Sequence, residues 1–182
     1  MRLPIIVFTF SLAFAVTSQA GQLAPLESAK RGGDDVSTMA FCQEKRLRED
    51  LDLLNAPIRS RRDLVRHLRA SRDEGSPLLA LSEEGRRRFL SSLTFNEKGV
   101  TGYRYDDLER ELTATEAYLI LALFGVQGDV ARMQNLREET FLDRELKSLM
   151  KTQCQNGDYM DYRCESRATC TSHTRYICKA SC

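Results

Sequence analysis

Acidic side chains cluster between residues 106 and 116, and their type and spacing could support acid–base chemistry. Many glycosidases act through two carboxyl groups roughly 5 to 10 Å apart. The same positions also suit helix caps and solvated helix faces, and nothing in the sequence singles out one carboxyl group as buried with a raised pKa. A small carbohydrate-active hydrolase is therefore an alternative hypothesis. Its candidate acids are Asp106, Asp107, Glu109, Glu111 and Glu116.

The chain lacks the motifs of other common enzymes: it has no G-x-S-x-G turn, no H-E-x-x-H helix and no G-x-x-x-x-G-K loop. His67 and His173 are its only histidines. His67 has arginine neighbours, which disfavour its protonated form, so a position on a helix surface is predicted. His173 is predicted to face water unless it contacts a partner. We predict no catalytic residue and no cofactor, and a non-enzymatic function is favoured.

Five of the six cysteines lie between residues 154 and 182, and Cys42 stands alone far upstream. If all six pair within one chain, the odd number in the tail requires Cys42 to bond with a tail cysteine, whichever of the 15 connectivities is real. A zinc site that uses these thiols and His173 is disfavoured, because there is no C-x2-C pair. We predict a disulfide framework without a metal. Its members are Cys42, Cys154, Cys164, Cys170, Cys178 and Cys182.

Arginines are concentrated between residues 59 and 88. Their forked donors would suit an anionic partner such as an acidic protein surface, a phosphorylated glycan or a lipid headgroup. The competing interpretation is a solvated helix face, in which Glu83 and Glu84 pair with arginines four residues later. The densest point, and a candidate binding site, is the triplet Arg86, Arg87 and Arg88.

Tyr103, Arg104 and Tyr105 are the other candidate binding residues, because tyrosine and arginine often dominate protein interfaces. Burial of the two tyrosines against a central helix is the competing interpretation. All six tyrosines follow residue 102, which places any aromatic recognition surface in the C-terminal half or the tail.

The first 20 residues are typical of a secretory signal peptide. Arg2 precedes an apolar run that is too short to span a bilayer, and Ser18 and Ala20 suit the signal peptidase. We predict cleavage before Gly21 and export to the periplasm or the extracellular space. No transmembrane segment is predicted after cleavage.

The charges of the predicted mature chain cancel. The full chain has 27 Lys plus Arg and 26 Asp plus Glu, and Arg2 is the one charged residue of the predicted signal. Because nucleic-acid affinity comes largely from an excess of basic groups, the balance disfavours a nucleic-acid partner.

The remaining pattern predicts three segments: a flexible leader at residues 21–36, a helical body at 37–151 and a cysteine-rich tail at 152–182. In the first body helix, Leu47, Leu51 and Leu54 recur at helical spacing and are predicted to face the core. A capping box at residues 113–116 precedes the apolar run that begins at Tyr118 and ends at Phe124. Since this run is apolar on nearly every side, we expect it at the centre of the fold.

The predicted fold class is mainly α, a compact bundle of about six short helices around that central apolar helix. Period-two patterns indicate two minor strand pairs. One joins residues 93–95 to 103–105 across a turn at 96–99. The other joins residues 159–164 to 170–178 in the tail, which is expected to form a small disulfide-bound knob on the body.

The leading functional hypothesis is an exported, disulfide-stabilised protein-binding module. An inhibitor or immunity-type protein that acts on another exported protein or toxin is its best example. The alternatives are the carboxylate hydrolase and a binder of anionic envelope or lipid surfaces.

Overall fold

The computed structural model describes residues 27–70, 75–150, 154 and 157–182, so the predicted signal peptide lies outside the described residues. The chain divides into two units, Met1–Ser37 and Thr38–Cys182. In the first unit, the described residues are helical from residue 27 onward. All side-chain contacts discussed below belong to the second unit.

The described residues contain α-helices, two short 3-10 helices and four strands. The α-helices are α1 (Glu27–Asn55), α2 (Arg61–Ala70), α3 (Glu83–Ser92), α4 (Asp106–Glu111), α5 (Ala114–Ala122) and α6 (Phe141–Met150). The 3-10 helices are Pro77–Ala80 and Gln127–Arg132, and the strands are β1 (Thr94–Asn96), β2 (Gly99–Arg104), β3 (Tyr159–Ser166) and β4 (Thr169–Cys178).

Side chains cap the starts of α3 and α5, and the cap of α5 is the one that the sequence predicts. The Ser82 hydroxyl accepts a hydrogen bond from the Gly85 amide at the start of α3. At the start of α5, Thr113 and Glu116 form the predicted capping box, with each side chain accepting from the other residue's amide. These bonds satisfy amides that have no partner within the helix.

The two predicted hairpins join in one four-stranded antiparallel sheet of order β1-β2-β4-β3. Gly102, Tyr103 and Arg104 of β2 pair with the last residues of β4. The molecule is therefore mixed α/β, with about 54% helix and 21% strand, and the prediction of a mainly α bundle is wrong. The prediction fails because β2 and β4 are far apart in sequence, and local periodicity carries no signal for such a pairing.

The core lies between α3, the inner face of the sheet and α5. The Phe89 ring meets the Tyr103 and Phe124 rings edge to face, at centroid distances of 5.9 and 5.8 Å. Helix α5 buries Ile120 and Leu121, whereas Leu119 is half exposed. A helix surrounded on all sides is thus also an incorrect prediction, because α5 covers one side of a core that it shares with the sheet.

Helix α1 packs through a different face from the predicted one. Leu47, Leu51 and Leu54 are 60%, 48% and 58% exposed, and Leu53 packs against the core instead. Helical periodicity identifies an apolar face, but the neighbouring elements decide which face is covered. The helix also begins at Glu27, so residues 27–36 of the predicted flexible leader are helical. Its first residues, Glu, Ser, Ala, Lys and Arg, include four good helix formers.

Three disulfides link the tail to itself and to α1. Cys42 pairs with Cys154, 112 residues away, the pairing with a tail cysteine that the odd count requires. The described residues contain no free cysteine. The two pairs within the tail are Cys164–Cys182 and Cys170–Cys178. Several disulfides indicate an oxidising, exported environment.

None of the described helices combines the length and apolar character needed to cross a membrane.

Candidate functional site

Asp107, a candidate catalytic acid, is fully buried in an ion-pair network. Arg88 donates to it from Nε at 3.1 to 3.2 Å and from Nη2 at 2.7 Å, and Arg110 donates as well. Burial alone would raise the pKa of this carboxyl, but the hydrogen bonds from the two arginines outweigh burial and lower it. Asp107 is therefore held as a carboxylate, whereas a general acid must be protonated.

The other candidate acids also bind groups of the protein itself. The Glu109 carboxylate accepts hydrogen bonds from the Asn135 amide at 3.1 Å and from Arg175 Nη1 at 3.2 Å. Glu111 accepts from the Ser82 amide at 2.7 Å and so supports the start of α3. Glu116 belongs to the capping box, and Asp106 pairs with Arg104 at 2.7 Å. These contacts position helix ends and arginines, which is the competing interpretation of the cluster.

Tyr103 and Tyr105 are buried, with 1% and 6% of their surfaces exposed. Tyr103 donates a hydrogen bond to Asp129 and Tyr105 donates one to Asp161, both at 2.8 Å. Burial, together with these carboxylates, raises the pKa of both phenols. Their rings pack inside the protein, so the candidate site of Tyr103, Arg104 and Tyr105 has only a partly exposed Arg104 at its surface.

Lys179 lies at the centre of a buried charge cluster that sequence reasoning missed. Its ammonium donates to Asp129 at 2.8 and 2.9 Å and to Asp158 at 2.6 Å. Burial opposes protonation, but the two carboxylates outweigh it and raise the pKa of Lys179. A protonated lysine is a poor nucleophile or base, so this cluster is best understood as a structural junction. It borders a groove of about 360 Å³.

The three consecutive arginines of α3 differ in their contacts. Arg88 pairs with Glu84, as the competing interpretation predicts, and with Asp107. Arg87 forms no ion pair with Glu83 or with any other described residue. Arg86 and Arg87 thus leave two charges near the surface, and Arg88 is committed to the fold.

The β3–β4 hairpin is largely exposed and carries residue types that are common in protein interfaces. Of the residues of β4, only Tyr176, Ile177 and Cys178 pair with β2, so the outer part of β4 extends beyond the body of the sheet. Of the two strands, only Ile177 and Cys178 are fully buried. We call residues 159–176 the hairpin arm. Cys170–Cys178 and Cys164–Cys182 restrain it covalently.

Aromatic and basic side chains are stacked along the arm. The His173 ring lies 4.4 Å from the Tyr176 ring, and the Arg163 guanidinium lies 5.7 Å from the centre of the same ring. Tyr159 and Tyr162 form a second pair, 5.6 Å apart, and remain 54% and 39% exposed. The late position of the tyrosines in the sequence pointed to this region, but their grouping required the structure.

Two left-handed residues fix the shape of the arm where it meets the body. Asp161 has φ 60° and Arg175 has φ 67°, in a part of β3 and β4 where the register shifts. The Asp161 carboxylate accepts hydrogen bonds from the Arg175 amide and the Tyr105 hydroxyl, both at 2.8 Å. The backbone bond from Arg175 is the main reason why the pKa of Asp161 is lowered. Such bulges redirect side chains and are common near functional sites.

Strand β3 lies at the edge of the sheet but is poorly suited to adding a further strand. Its register is interrupted twice, and Asp161, Arg163 and Glu165 place charges along it. Bulges and charges are the usual devices that prevent edge pairing. Recognition by side chains of the arm is therefore favoured over strand addition.

The Sγ atoms of Cys164, Cys178 and Cys182 lie within 4.8 Å of one another. All three belong to disulfides, so none offers the thiolate that a zinc ion requires.

Comparison of the chain with protein-family models, with curated proteins and with solved structures gave no match in any of the three.

Proposed function

We propose that the protein is an exported, non-enzymatic module that binds another exported protein through its hairpin arm, in the manner of an inhibitor or immunity protein. The periplasm or the extracellular space is its proposed location. The observation that carries the proposal is the group of exposed Tyr159, Tyr162, Arg163 and His173 around the half-buried Tyr176 on one disulfide-restrained hairpin.

The chemistry of the arm suits protein recognition. Tyrosine and arginine give a large contact area and several hydrogen bonds, and they dominate the energetics of many interfaces. Tyr162 and Arg163 are adjacent in β3, so their side chains project toward opposite faces of the hairpin. The arm therefore presents contact groups on both faces, which suits insertion into a cleft of the partner.

The restraints on the arm favour tight binding. Ordering a flexible loop on binding costs free energy, and prior rigidity removes part of that cost. Here the two tail disulfides and the contacts of Asp161 with Tyr105 and Arg175 already hold the arm in place.

The acid cluster supports this proposal over a hydrolase, since its carboxylates are bound to helix ends and arginines of the protein. The alternative would require a carboxyl group that is free to exchange a proton with a substrate, and Asp107 is instead held ionised by Arg88 and Arg110.

The experiment that tests the proposal is affinity capture with oxidised, folded protein from envelope and secreted extracts. The bait is compared with the variant Tyr162→Ala/Arg163→Ala/His173→Ala, which changes exposed side chains of the arm. We expect one stoichiometric protein that the wild type retains and the variant loses. Equal capture by the variant, or no stoichiometric protein in either extract, would contradict the proposal.

A further inference from the structure

Helix α2 carries an excess of positive charge on its outer face, although the chain as a whole is almost neutral. Its ten residues contain four arginines and a single acid, Asp63. Leu64 is buried and anchors the opposite side of the helix. Arg62, Arg66 and Arg69 recur at helical spacing, so they lie on one exposed face.

The fourth arginine of α2 attaches the helix to the body. Arg61 donates to the carbonyl groups of Leu90 at 3.0 Å and Leu93 at 2.8 Å, near the end of α3. Its guanidinium also lies 5.7 Å from the centre of the Phe95 ring. Among the residues that the structure describes, the outer three arginines have no comparable contact with the body, so packing against those residues does not explain their presence.

A shallow groove of about 700 Å³ follows this face. Among the described residues, only Val65 and Ala70 accompany the four arginines that line it. Arg66 is partly neutralised by Asp63 at 3.1 Å, whereas Arg62 and Arg69 form no ion pair with a described residue. Arginines that share one groove repel one another, and an extended array of anions would relieve the repulsion.

The groove is better suited to a membrane surface than to a small anion. Its guanidinium groups are exposed, whereas a pocket for one small anion would bury its donors. Val65 lines the groove with the arginines and is 41% exposed. A helix with arginines on its outer face and apolar side chains next to them can lie in the plane of a bilayer interface.

We infer that the outer face of α2 binds the anionic phospholipid headgroups of a membrane surface. This contact is separate from the hairpin arm and does not depend on the partner proposed above. It would hold the exported protein at an envelope surface by charge, with Val65 at the headgroup boundary.

The test is co-sedimentation of the full, oxidised chain with vesicles of phosphatidylcholine alone and of phosphatidylcholine mixed with phosphatidylglycerol. The variant Arg62→Gln/Arg66→Gln/Arg69→Gln should bind the mixed vesicles about 100-fold more weakly, since each arginine contributes about a fivefold factor. Arg62→Lys/Arg66→Lys/Arg69→Lys keeps the charges and should bind nearly as the wild type does. The matched control, Arg86→Gln/Arg87→Gln, removes charge from α3 and should change binding less than threefold. Circular dichroism verifies that each variant is folded.

Wild-type binding should also fall steeply as salt is raised. Equal binding to neutral vesicles, or equal loss in the α3 control, would overturn the inference. A third arm uses a soluble heparin oligosaccharide in place of vesicles. Arginine-dependent binding of heparin without binding of the mixed vesicles would show that the face recognises a soluble polyanion, and this too would overturn the inference.

Discussion

Gly102 of β2 lies directly opposite Cys178 of β4, where the sheet joins the body to the tail. A Cβ atom at residue 102 would lie 2.8 Å from the carbonyl oxygen of Ile177 and 3.4 Å from the Cβ of Cys164. The absence of a side chain therefore lets two strands and a disulfide approach closely. The base of the hairpin arm is fixed by this junction.

The variant Gly102→Ala should weaken the junction. Because the nearest atom is a backbone oxygen in a paired strand, the strands must shift, and we expect a loss of about 1 to 3 kcal/mol in the free energy of unfolding. Urea denaturation measures this loss of free energy. Gly128→Ala is the control, since its Cβ would lie at an ordinary 3.6 Å from Glu49 Oε1. Equal effects of the two variants would argue against a close approach at residue 102.

Removal of the long disulfide should destabilise the protein strongly. Cys42 and Cys154 close a loop with a sequence separation of 112, for which the chain-entropy model gives about 4 to 5 kcal/mol. We expect Cys42→Ser to lower the free energy of unfolding by about 2 to 5 kcal/mol in urea denaturation. The double variant Cys42→Ser/Cys154→Ser should lose no more than the single one. Non-reducing peptide mapping that finds Cys42 bonded to a cysteine other than Cys154 would refute the pairing.

Asp143 should contribute stability at neutral pH that is lost in acid. Burial opposes ionisation, but hydrogen bonds from Thr115 and Thr140 outweigh it and hold the pKa of Asp143 well below its usual range. A depressed pKa in the folded state stabilises the protein above the unfolded value of about 3.9, and this stability is lost as the pH falls below that value.

The test compares the wild type with Asp143→Asn by denaturation between neutral and acidic pH. At neutral pH the variant should lose about 2 to 4 kcal/mol, since it faces the same donors without a charge. The difference should shrink as the pH falls below about 4. A difference that is independent of pH would show that ionisation of Asp143 contributes nothing.

Lys179→Met should leave Asp129 and Asp158 buried without their ammonium partner. Breaking a buried pair by removing one member costs about 3 to 5 kcal/mol. The control is Lys147→Met, because Lys147 pairs with the half-exposed Glu138 at 2.8 Å and should cost about 1 kcal/mol or less. Thermal or urea denaturation compares the two variants. A similar cost for both would mean that the buried Lys179 cluster stabilises the protein no more than the half-exposed pair does.

Short-range features could be predicted from the sequence. The capping box of Thr113 and Glu116 depends on residues three apart, and both hairpins are visible as local alternation of side chains. The odd number of cysteines in the tail was enough to require that Cys42 pair with one of them.

Long-range packing could not be predicted, and it determined both the fold class and the candidate site. The pairing of Gly102 with Cys178 turned two small hairpins into one sheet, and the same pairing buried Tyr103. The stack of His173, Arg163 and Tyr176 depends on cross-strand register and on a bulge at Arg175, neither of which a sequence pattern reveals.

The central claim is that a partner protein binds the hairpin arm, and the most direct measurement is the affinity for the captured partner. Calorimetry would compare the wild type, Tyr162→Ala/Arg163→Ala and the α3 control Arg86→Ala/Arg87→Ala. If the arm carries the binding energy, Kd should rise about 100-fold or more in the first variant, because interface tyrosines and arginines commonly contribute about 2 kcal/mol each. The control should change Kd less than about threefold. An unchanged Kd in the arm variant, with folding intact, would contradict the proposal.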